Sequence, residues 1–150
     1  MSIFRPSTLD KYGASPTEAS PLEQYTPAII GAEIEQIATA VYEGLGVGHS
    51  ESTYRNALEL EAEMKGWSVQ REVVIPITYK GKYVGQGRCD LILTKGPSII
   101  LELKAVRQRK PEALLQLQNY LLRTGISFGY VINFGPKFSF EAVTRSSCDP

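Results

Sequence analysis

The stretch RCDLILTKGPSIILELK, residues 88–104, decides the fold of this chain. Apolar residues dominate both of its ends, and the KGP in between has the composition of a turn. The stretch therefore predicts two strands joined as a hairpin. A turn centred near Gly96 places Asp90 roughly opposite Glu102, and the Cβ atoms of cross-strand neighbours lie about 4.5 to 5.5 Å apart.

The polar side chains of this hairpin suggest a chemical role. Because side chains alternate along a strand, Glu102 and Lys104 point to one face and Leu103 to the other. Two neighbouring carboxylates could share Mg²⁺, which is held by one or two carboxylates together with waters and phosphate oxygens. A lysine beside them could orient water or neutralise charge in a transition state. The same residues also fit a solvated strand face on which Asp90 is an ordinary hairpin acid.

The elements around the hairpin predict an α/β fold. Periodicity and turn residues predict the order helix, helix, three antiparallel strands, helix, strand, strand. Ser50 is the expected N-cap of the second helix, and Pro111 fits the first turn of the third. The predicted helices cover residues 28–42, 51–64 and 112–123, and the predicted strands cover 69–79, 83–93, 98–106, 127–133 and 138–143.

Length and charge limit the possible functions. A chain of 150 residues with 43% hydrophobic residues can bury one core, so we expect one domain at 28–145, a flexible arm at 1–27 and a tail at 146–150. A formal net charge of zero argues against binding nucleic acid through global basicity. A local basic patch could still bind it, or could be a solvated surface run. The patch residues are Arg88, Arg107, Arg109 and Lys110.

Cysteine content and hydropathy make further predictions. Cys89 and Cys148 are too few for a disulfide framework or for a four-cysteine iron–sulfur cluster. A basic leader with an apolar core is absent from the N-terminus, and no apolar run approaches the roughly 20 residues of a membrane span. We therefore expect an intracellular, soluble protein without a membrane partner, in either the cytoplasm or the nucleus.

These residues resemble a known nuclease superfamily. Asp90, Glu102-Leu103-Lys104 and their strand, hairpin and helix context resemble the PD-(D/E)XK nuclease superfamily, and GHSESTY at 48–54 resembles the signature of its GxxExxY branch. The similarity runs from about Ile29 to about Gly135. It implies a restriction-endonuclease-like core, in which helices flank a central mixed sheet. The proline that precedes the acid in the superfamily's name is absent, since Cys89 occupies that position.

The resemblance also implies roles for particular residues. Asp90 and Glu102 would bind Mg²⁺ or Mn²⁺, Glu51 would join them directly or through water, and Lys104 would position water and help to deprotonate it. Glu51 could instead serve only to stabilise the start of its helix. Gln116 and Tyr120 resemble the Gln-x-x-x-Tyr spacing of RecB-like nucleases, which implies contacts with the lysine region or DNA. Core packing is the alternative for Tyr120.

Other conspicuous residues have structural interpretations. We expect Tyr54 to pack or brace Glu51, His49 to serve a loop or cap, and Cys89 to point into the core on the face opposite Asp90. Tyr79 and Tyr83 are predicted to belong to the core or to strand faces rather than to a base-stacking platform, although Tyr83, near the hairpin tip, could touch a substrate.

The sequence thus predicts a metal-dependent nuclease that hydrolyses DNA, with RNA not excluded, in repair, recombination or replication. A homodimer or a larger complex would fit the small size of the chain. The alternative is a catalytically silent module that binds nucleic acid or assembles with partners. Zero net charge favours this alternative, whereas the retained carboxylates and lysine oppose it, because like charges that are buried cost stability unless a metal or a function offsets them.

Overall fold

The computed structural model describes residues 26–108 and 110–145. The predicted N-terminal arm up to residue 25, Arg109 and the predicted tail at 146–150 lie outside the described residues. The described helices are α1 (Pro27–Leu45), α2 (Glu51–Met64) and α3 (Pro111–Thr124). The described strands are β1 (Ser68–Tyr79), β2 (Lys82–Thr94), β3 (Ser98–Lys104), β4 (Phe128–Asn133) and β5 (Ser139–Thr144).

The strands form one five-stranded mixed sheet in the order β1-β2-β3-β4-β5. β1, β2 and β3 pair antiparallel, β3 and β4 pair parallel, and β4 and β5 pair antiparallel. The one parallel pair is joined through α3, as expected because parallel neighbours need a crossover connection. The predicted α/β fold with a central mixed sheet is confirmed.

Two apolar clusters cover the two faces of the sheet. α1 and α2 pack on one face, where Ile34, Leu58 and Leu101 are fully buried. α3 packs on the other face, where Leu117 lies in the same cluster as Ile100. The alternation predicted for β3 is therefore correct, since Ile100 and its neighbours Leu101 and Ile99 face opposite layers.

The ends of the helices follow local chemistry. The Ser50 hydroxyl accepts a hydrogen bond from the Thr53 amide, which confirms Ser50 as the N-cap of α2. Pro111 opens α3, and Gly125 closes it in the left-handed conformation. One boundary was wrong at the start of α1: Pro27, assigned to the arm, is the first helical residue, because Thr26 caps the helix.

The ladder that pairs β1 with β2 is longer than the ladder that pairs β2 with β3. β1 and β2 remain paired from Ser68 with Thr94 to Tyr79 with Lys82, whereas β3 pairs with β2 only from Leu91 to Thr94. The outer part of the hairpin therefore extends beyond the end of β3. None of the helices in the described ranges is long and apolar enough to cross a membrane.

Candidate active site

Asp90 and Glu102 are cross-strand neighbours, as the hairpin predicted. The Asp90 amide donates a hydrogen bond to Oε2 of Glu102 at 3.2 Å, and the Leu103 amide donates to Oδ2 of Asp90 at 2.7 Å. Each carboxylate thus fills the gap between the strands and accepts from the backbone of the other strand. The remaining oxygen of each carboxylate has no hydrogen bond within the described part of the chain.

The environment of this pair is unusual for acids. Glu102 is only 3% exposed, so the alternative of a solvated strand face is wrong for this residue. Burial, followed by the negative charge of Asp90, raises the pKa of Glu102 to about 8. Burial also raises the pKa of Asp90, although the Leu103 amide and the nearby Lys104 oppose the rise. Removing two carboxylates from water costs free energy that a bound cation would offset.

Lys104 lies two residues beyond Glu102, where β3 opens onto a cavity of about 340 Å³. The cavity is also lined by Glu51 from the first turn of α2 and by Gln116 from α3. Glu51 is close enough to Glu102 for its charge to raise the pKa of Glu102 further. The predicted residues from three different elements are therefore brought to one place. Lys110 and Glu112 also line the cavity, and Glu112 was not predicted.

The carboxylate oxygens of Asp90 and Glu102 suit a hard divalent cation, but they are only two of the ligands that such a cation needs. Asp90 and Glu102 each offer an oxygen, which matches the one or two carboxylates that commonly hold Mg²⁺. Among residues 26–108 and 110–145, no three His, Cys, Asp or Glu side chains are grouped as a ready-made metal site. Both predicted modes for Glu51, direct binding and binding through water, therefore stay predictions, and Glu51 lines the neighbouring cavity.

The end of β3 is held in place by residues that the sequence analysis did not assign. The buried Asn133 side chain accepts a hydrogen bond from the Val106 amide and donates to the Val106 carbonyl, at 2.9 and 3.0 Å. A Cβ atom on Gly135 would lie 1.9 Å from the same carbonyl, so only glycine fits there. The Phe134 amide donates to the Lys104 carbonyl at 2.8 Å. The segment from Asn133 to Gly135 thus fixes the strand that carries Glu102 and Lys104.

A second unpredicted group lies beside Asp90. The Arg55 guanidinium forms an ion pair with Glu72 at 3.4 Å, and its positive charge opposes the rise that burial causes in the pKa of Asp90. Glu72 also pairs with Arg88 at 3.5 Å and has a φ of 49°, which is rare for a residue other than glycine. A sequence signal for Arg55 existed, because Glu51 and Arg55 are four apart and share a helix face.

Tyr120 does not have the position predicted for a nucleic-acid contact. It is 3% exposed and lies over Gly87, and its hydroxyl accepts from the Arg88 amide and donates to the Arg88 carbonyl. The expectation of a direct contact is therefore corrected: the ring is part of the core. Gln116 lies near enough to the Tyr120 hydroxyl to oppose the rise that burial causes in its pKa.

Cys89 is buried, as predicted, but its face requires a correction. It belongs to the same cluster as Ile100 and α3, the side to which Glu102 also points. Strict alternation would place Cys89 and Leu91, which are two residues apart, on the same face of the sheet. Leu91 instead lies in the opposite cluster. The break coincides with Glu72, which separates the paired residues Arg71 and Val73 and whose positive φ interrupts the pleat.

The loop before α2 is braced as predicted. Tyr54 is fully buried and stacks on Phe134 with 4.6 Å between ring centroids. Its hydroxyl donates to the Gly46 carbonyl and accepts from the His49 amide. His49 itself contacts the Leu45 carbonyl through Nε2, in agreement with a loop or cap role. These contacts fix the approach of the chain to Glu51.

The predicted basic residues Arg88, Arg107 and Lys110 lie at the surface. Arg107 and Lys110 are exposed, and Lys110 lines the cavity itself. The side chain of Arg88 is 59% exposed although it pairs with Glu72. Arg109 is outside the described residues.

Comparisons with known proteins place these observations in context. The family model of the PD-(D/E)XK nuclease superfamily matches residues 28–146. The crystal structure of SSO0001 matches with a TM-score of 0.42 and 21% identity, over 85% of this chain and 58% of that one. Hjc, a Holliday junction resolvase from the archaeal hyperthermophile Archaeoglobus fulgidus, matches with a TM-score of 0.43 and 15% identity, over 64% and 73%. No curated protein matches this chain significantly.

Proposed function

We propose that this chain, which belongs to the PD-(D/E)XK nuclease superfamily, hydrolyses phosphodiester bonds of DNA in a reaction that depends on a divalent metal ion. The observation that carries the proposal is the pairing of the buried Glu102 with the half-buried Asp90, beside Lys104, which lines the cavity. A structural role alone does not explain why the fold keeps two carboxylates side by side, one of them buried, at this cost in free energy.

Each residue of the pair has a defined task in this proposal. Asp90 and Glu102 would hold the cation, Mg²⁺ or Mn²⁺, and each has an oxygen that does not accept one of the two backbone hydrogen bonds. When bound, the cation would supply Lewis acidity and stabilise negative charge on the phosphate. Their backbone hydrogen bonds keep both carboxylates from rotating, so the ligands are preorganised.

The residues around the cavity act on substrate and water. Lys104 orients the attacking water for in-line attack and helps to remove its proton. Glu51 accepts a hydrogen bond from a water in the cavity, and Gln116 positions the lysine region through its place on α3. These roles follow from the resemblance and from the convergence of the side chains on one cavity.

The basic residues at the surface extend the proposal to substrate binding. Arg107, Lys110 and Arg88 would neutralise phosphates that flank the cleaved bond, together with Arg109. Neutralising Arg107 and Lys110 should weaken binding and lower the slope of log K against log salt by about 0.9 for each phosphate that the variant no longer neutralises. Unchanged affinity and slope would show that these residues are only solvated surface.

The finer assignment is to the GxxExxY branch, with a role in repair, recombination or replication as a homodimer or in a larger complex. Support for the branch comes from Gly48, Glu51 and Tyr54. Tyr54 braces the loop from Gly46 to His49, and Glu51 follows directly at the start of α2. The spacing of the motif thus has a physical purpose, since it delivers one carboxylate to the cavity.

The proposal is tested by cleavage of labelled single-stranded, duplex, flap and junction DNA and RNA. Wild type and Lys104→Ala are compared with Mg²⁺, with Mn²⁺ and with chelator. We expect cutting that requires metal and disappears in the variant, whose circular dichroism spectrum stays that of the wild type. No cutting of any substrate by folded wild-type protein would overturn the proposal in favour of a silent binding or assembly module.

A further inference from the structure

The outer half of the β1–β2 hairpin projects beside the candidate active site. We call residues 76–86 the hairpin arm. Extending the register of Leu91 with Leu101 places Lys104, the last residue of β3, level with Arg88. β2 continues for six residues beyond that level, from Gly87 back to Lys82, which corresponds to about 20 Å at the rise of an extended strand. The arm therefore leaves the sheet at the end where Lys104 and the cavity lie.

The base of the arm is anchored, whereas the arm itself has few neighbours. Ile75 is 2% exposed against α3, and a Cβ on Gly87 would lie 2.6 Å from the Tyr120 ring. A Cβ on Gly85 would meet no atom within 4 Å. The contacts that hold the hairpin to the core thus end near Gly87, and the arm is free to contact another molecule.

The composition of the arm is unlike that of an ordinary solvated hairpin. Tyr79 and Tyr83 are 64% and 63% exposed, so of the two predicted places, core and strand face, they occupy the strand face. Val84 is 58% exposed. Residues 73–89 contain Lys80, Lys82 and Arg88 and no aspartate or glutamate. In a chain with zero net charge, this is a local positive surface with exposed aromatic rings.

The geometry of the arm suits a polyanion with planar groups. Tyr79 pairs with Lys82 across the strands, and Lys80 lies 5.4 Å from the centroid of the Tyr79 ring. Thr78 pairs with Tyr83, so the two tyrosines occupy opposite faces of the ribbon. Exposed aromatic rings stack on bases, and lysines neutralise phosphates. A two-stranded ribbon is also narrow enough to enter the major groove of duplex DNA.

We propose that the hairpin arm binds the nucleic acid on one side of the bond to be cleaved, with Lys80 and Lys82 on phosphates and Tyr79 and Tyr83 against base or sugar surfaces. This inference rests on the proposed function for its position next to the site. It goes beyond that function because it assigns a binding surface outside the cavity. The charge complementarity favours nucleic acid over a second copy of this chain, whose arm carries the same positive charge.

The test uses the full chain and changes the arm without breaking its turn. Lys80 has a φ of 52°, so it is replaced by asparagine, which tolerates the left-handed conformation, and Lys82 is replaced by glutamine. Tyr79→Thr and Tyr83→Thr remove the rings and keep strand propensity. Lys65→Gln is the matched control, because Lys65 is exposed at the end of α2 opposite Glu51. Thermal melts verify that every variant folds.

Affinity for labelled single-stranded and duplex DNA and RNA is measured with chelator present, so that binding does not depend on cleavage. We expect the lysine double variant to bind roughly tenfold more weakly or worse, with a salt slope smaller by about 0.9 for each of the two phosphates. The tyrosine double variant should bind at least about fivefold more weakly with its salt slope unchanged. Lys65→Gln should bind as the wild type does.

The outcomes separate this inference from the proposed function. Arm variants that bind as the wild type does overturn the inference, even if the wild type cleaves DNA. Weaker binding by the arm variants supports it, even if no substrate is cut and the nuclease proposal fails. Absence of binding by the wild type to every probe overturns it. The inference is also overturned if the wild type is a dimer, the arm variants are monomers and their affinity for nucleic acid is unchanged. That result would assign the arm to contacts between copies of the chain.

Discussion

The two halves of β2 pass through opposite surroundings. Towards its C-terminal end, the strand lies between β1 and β3, and its residue Asp90 contacts Glu102, which is 3% exposed. Towards its N-terminal end, it has only β1 beside it, and Tyr83 is 63% exposed. The acid Asp90 is thus half-buried beside a buried acid of β3, whereas the large aromatic ring of Tyr83 is exposed on the same strand as Asp90. The difference shows that the number of neighbouring elements, rather than side-chain polarity, decides burial here.

The largest expected effect is on cleavage, and it comes from substitutions at the end of the sheet where β2 lies between β1 and β3. Glu102→Ala and Asp90→Ala should lower the rate of cleavage by about a thousandfold and weaken Mg²⁺ binding, because each removes a ligand. Lys104→Ala should lower cleavage while Mg²⁺ binding, measured by calorimetry, stays near that of the wild type. Equal turnover in all three variants and the wild type would end the catalytic assignment.

A smaller effect is expected on stability when a methyl group is added at a crowded glycine near the site and at an open glycine in the arm. Gly135→Ala should lower the free energy of unfolding by about 3 kcal/mol, because its Cβ would lie 1.9 Å from the Val106 carbonyl. Gly85→Ala in the arm is the matched control, since its Cβ meets nothing within 4 Å. Urea denaturation of both variants measures the difference. Similar stabilities would mean that the chain relaxes around Gly135 at little cost.

The burial of Glu102 should also make the stability of the metal-free protein depend on pH. A carboxyl group with a higher pKa in the folded protein than in the unfolded chain holds its proton more tightly when folded. The free energy of unfolding of the metal-free protein should therefore decrease as the pH rises from about 4.5 to about 8 through the pKa values of Glu102. We expect a decrease of a few kcal/mol.

Glu102→Gln provides the control for this prediction, because the amide keeps the shape and cannot ionise. Its stability, measured by urea denaturation in chelator, should lack most of the decrease. Mg²⁺ at pH 8 should stabilise the wild type and not the variant. A pH profile shared by both proteins would contradict the raised pKa of Glu102.

The smallest effect is expected in the arm. Tyr79→Thr and Tyr83→Thr should each change the free energy of unfolding by no more than about 0.5 kcal/mol, because surface substitutions remove little packing. Tyr54→Thr, at a fully buried position, should cost about 3 to 5 kcal/mol. A destabilisation of the arm variants comparable to that of Tyr54→Thr would show that the arm tyrosines pack in solution.

Much of the fold follows from local sequence signals. Ser50, Pro111 and Gly125 bound their helices through capping and backbone preferences that act within a few residues. The turn near Gly96 sets the register that brings Asp90 beside Glu102. Such features are predictable because the groups that determine them are close in sequence.

Other features could not be derived in this way. The pairing of Arg55 with Glu72 joins α2 to β1, and the bonds of Asn133 join the end of β4 to the segment after β3. The buried place of Tyr120 depends on Gly87, which is distant in sequence and leaves space for the ring. Each of these contacts depends on how separate elements are placed against one another.

The sequence by itself determined the order of helices and strands, the hairpin register and the residues from which a site could be built, because hydrogen bonding and side-chain alternation are local. Tertiary structure alone decided that Glu102 is buried and Tyr83 is exposed. Burial depends on which elements cover a strand, and α3 and β3 cover β2 only as far as the level of Gly87. The raised pKa of Glu102 is a consequence of that cover, and so is the free arm beside it.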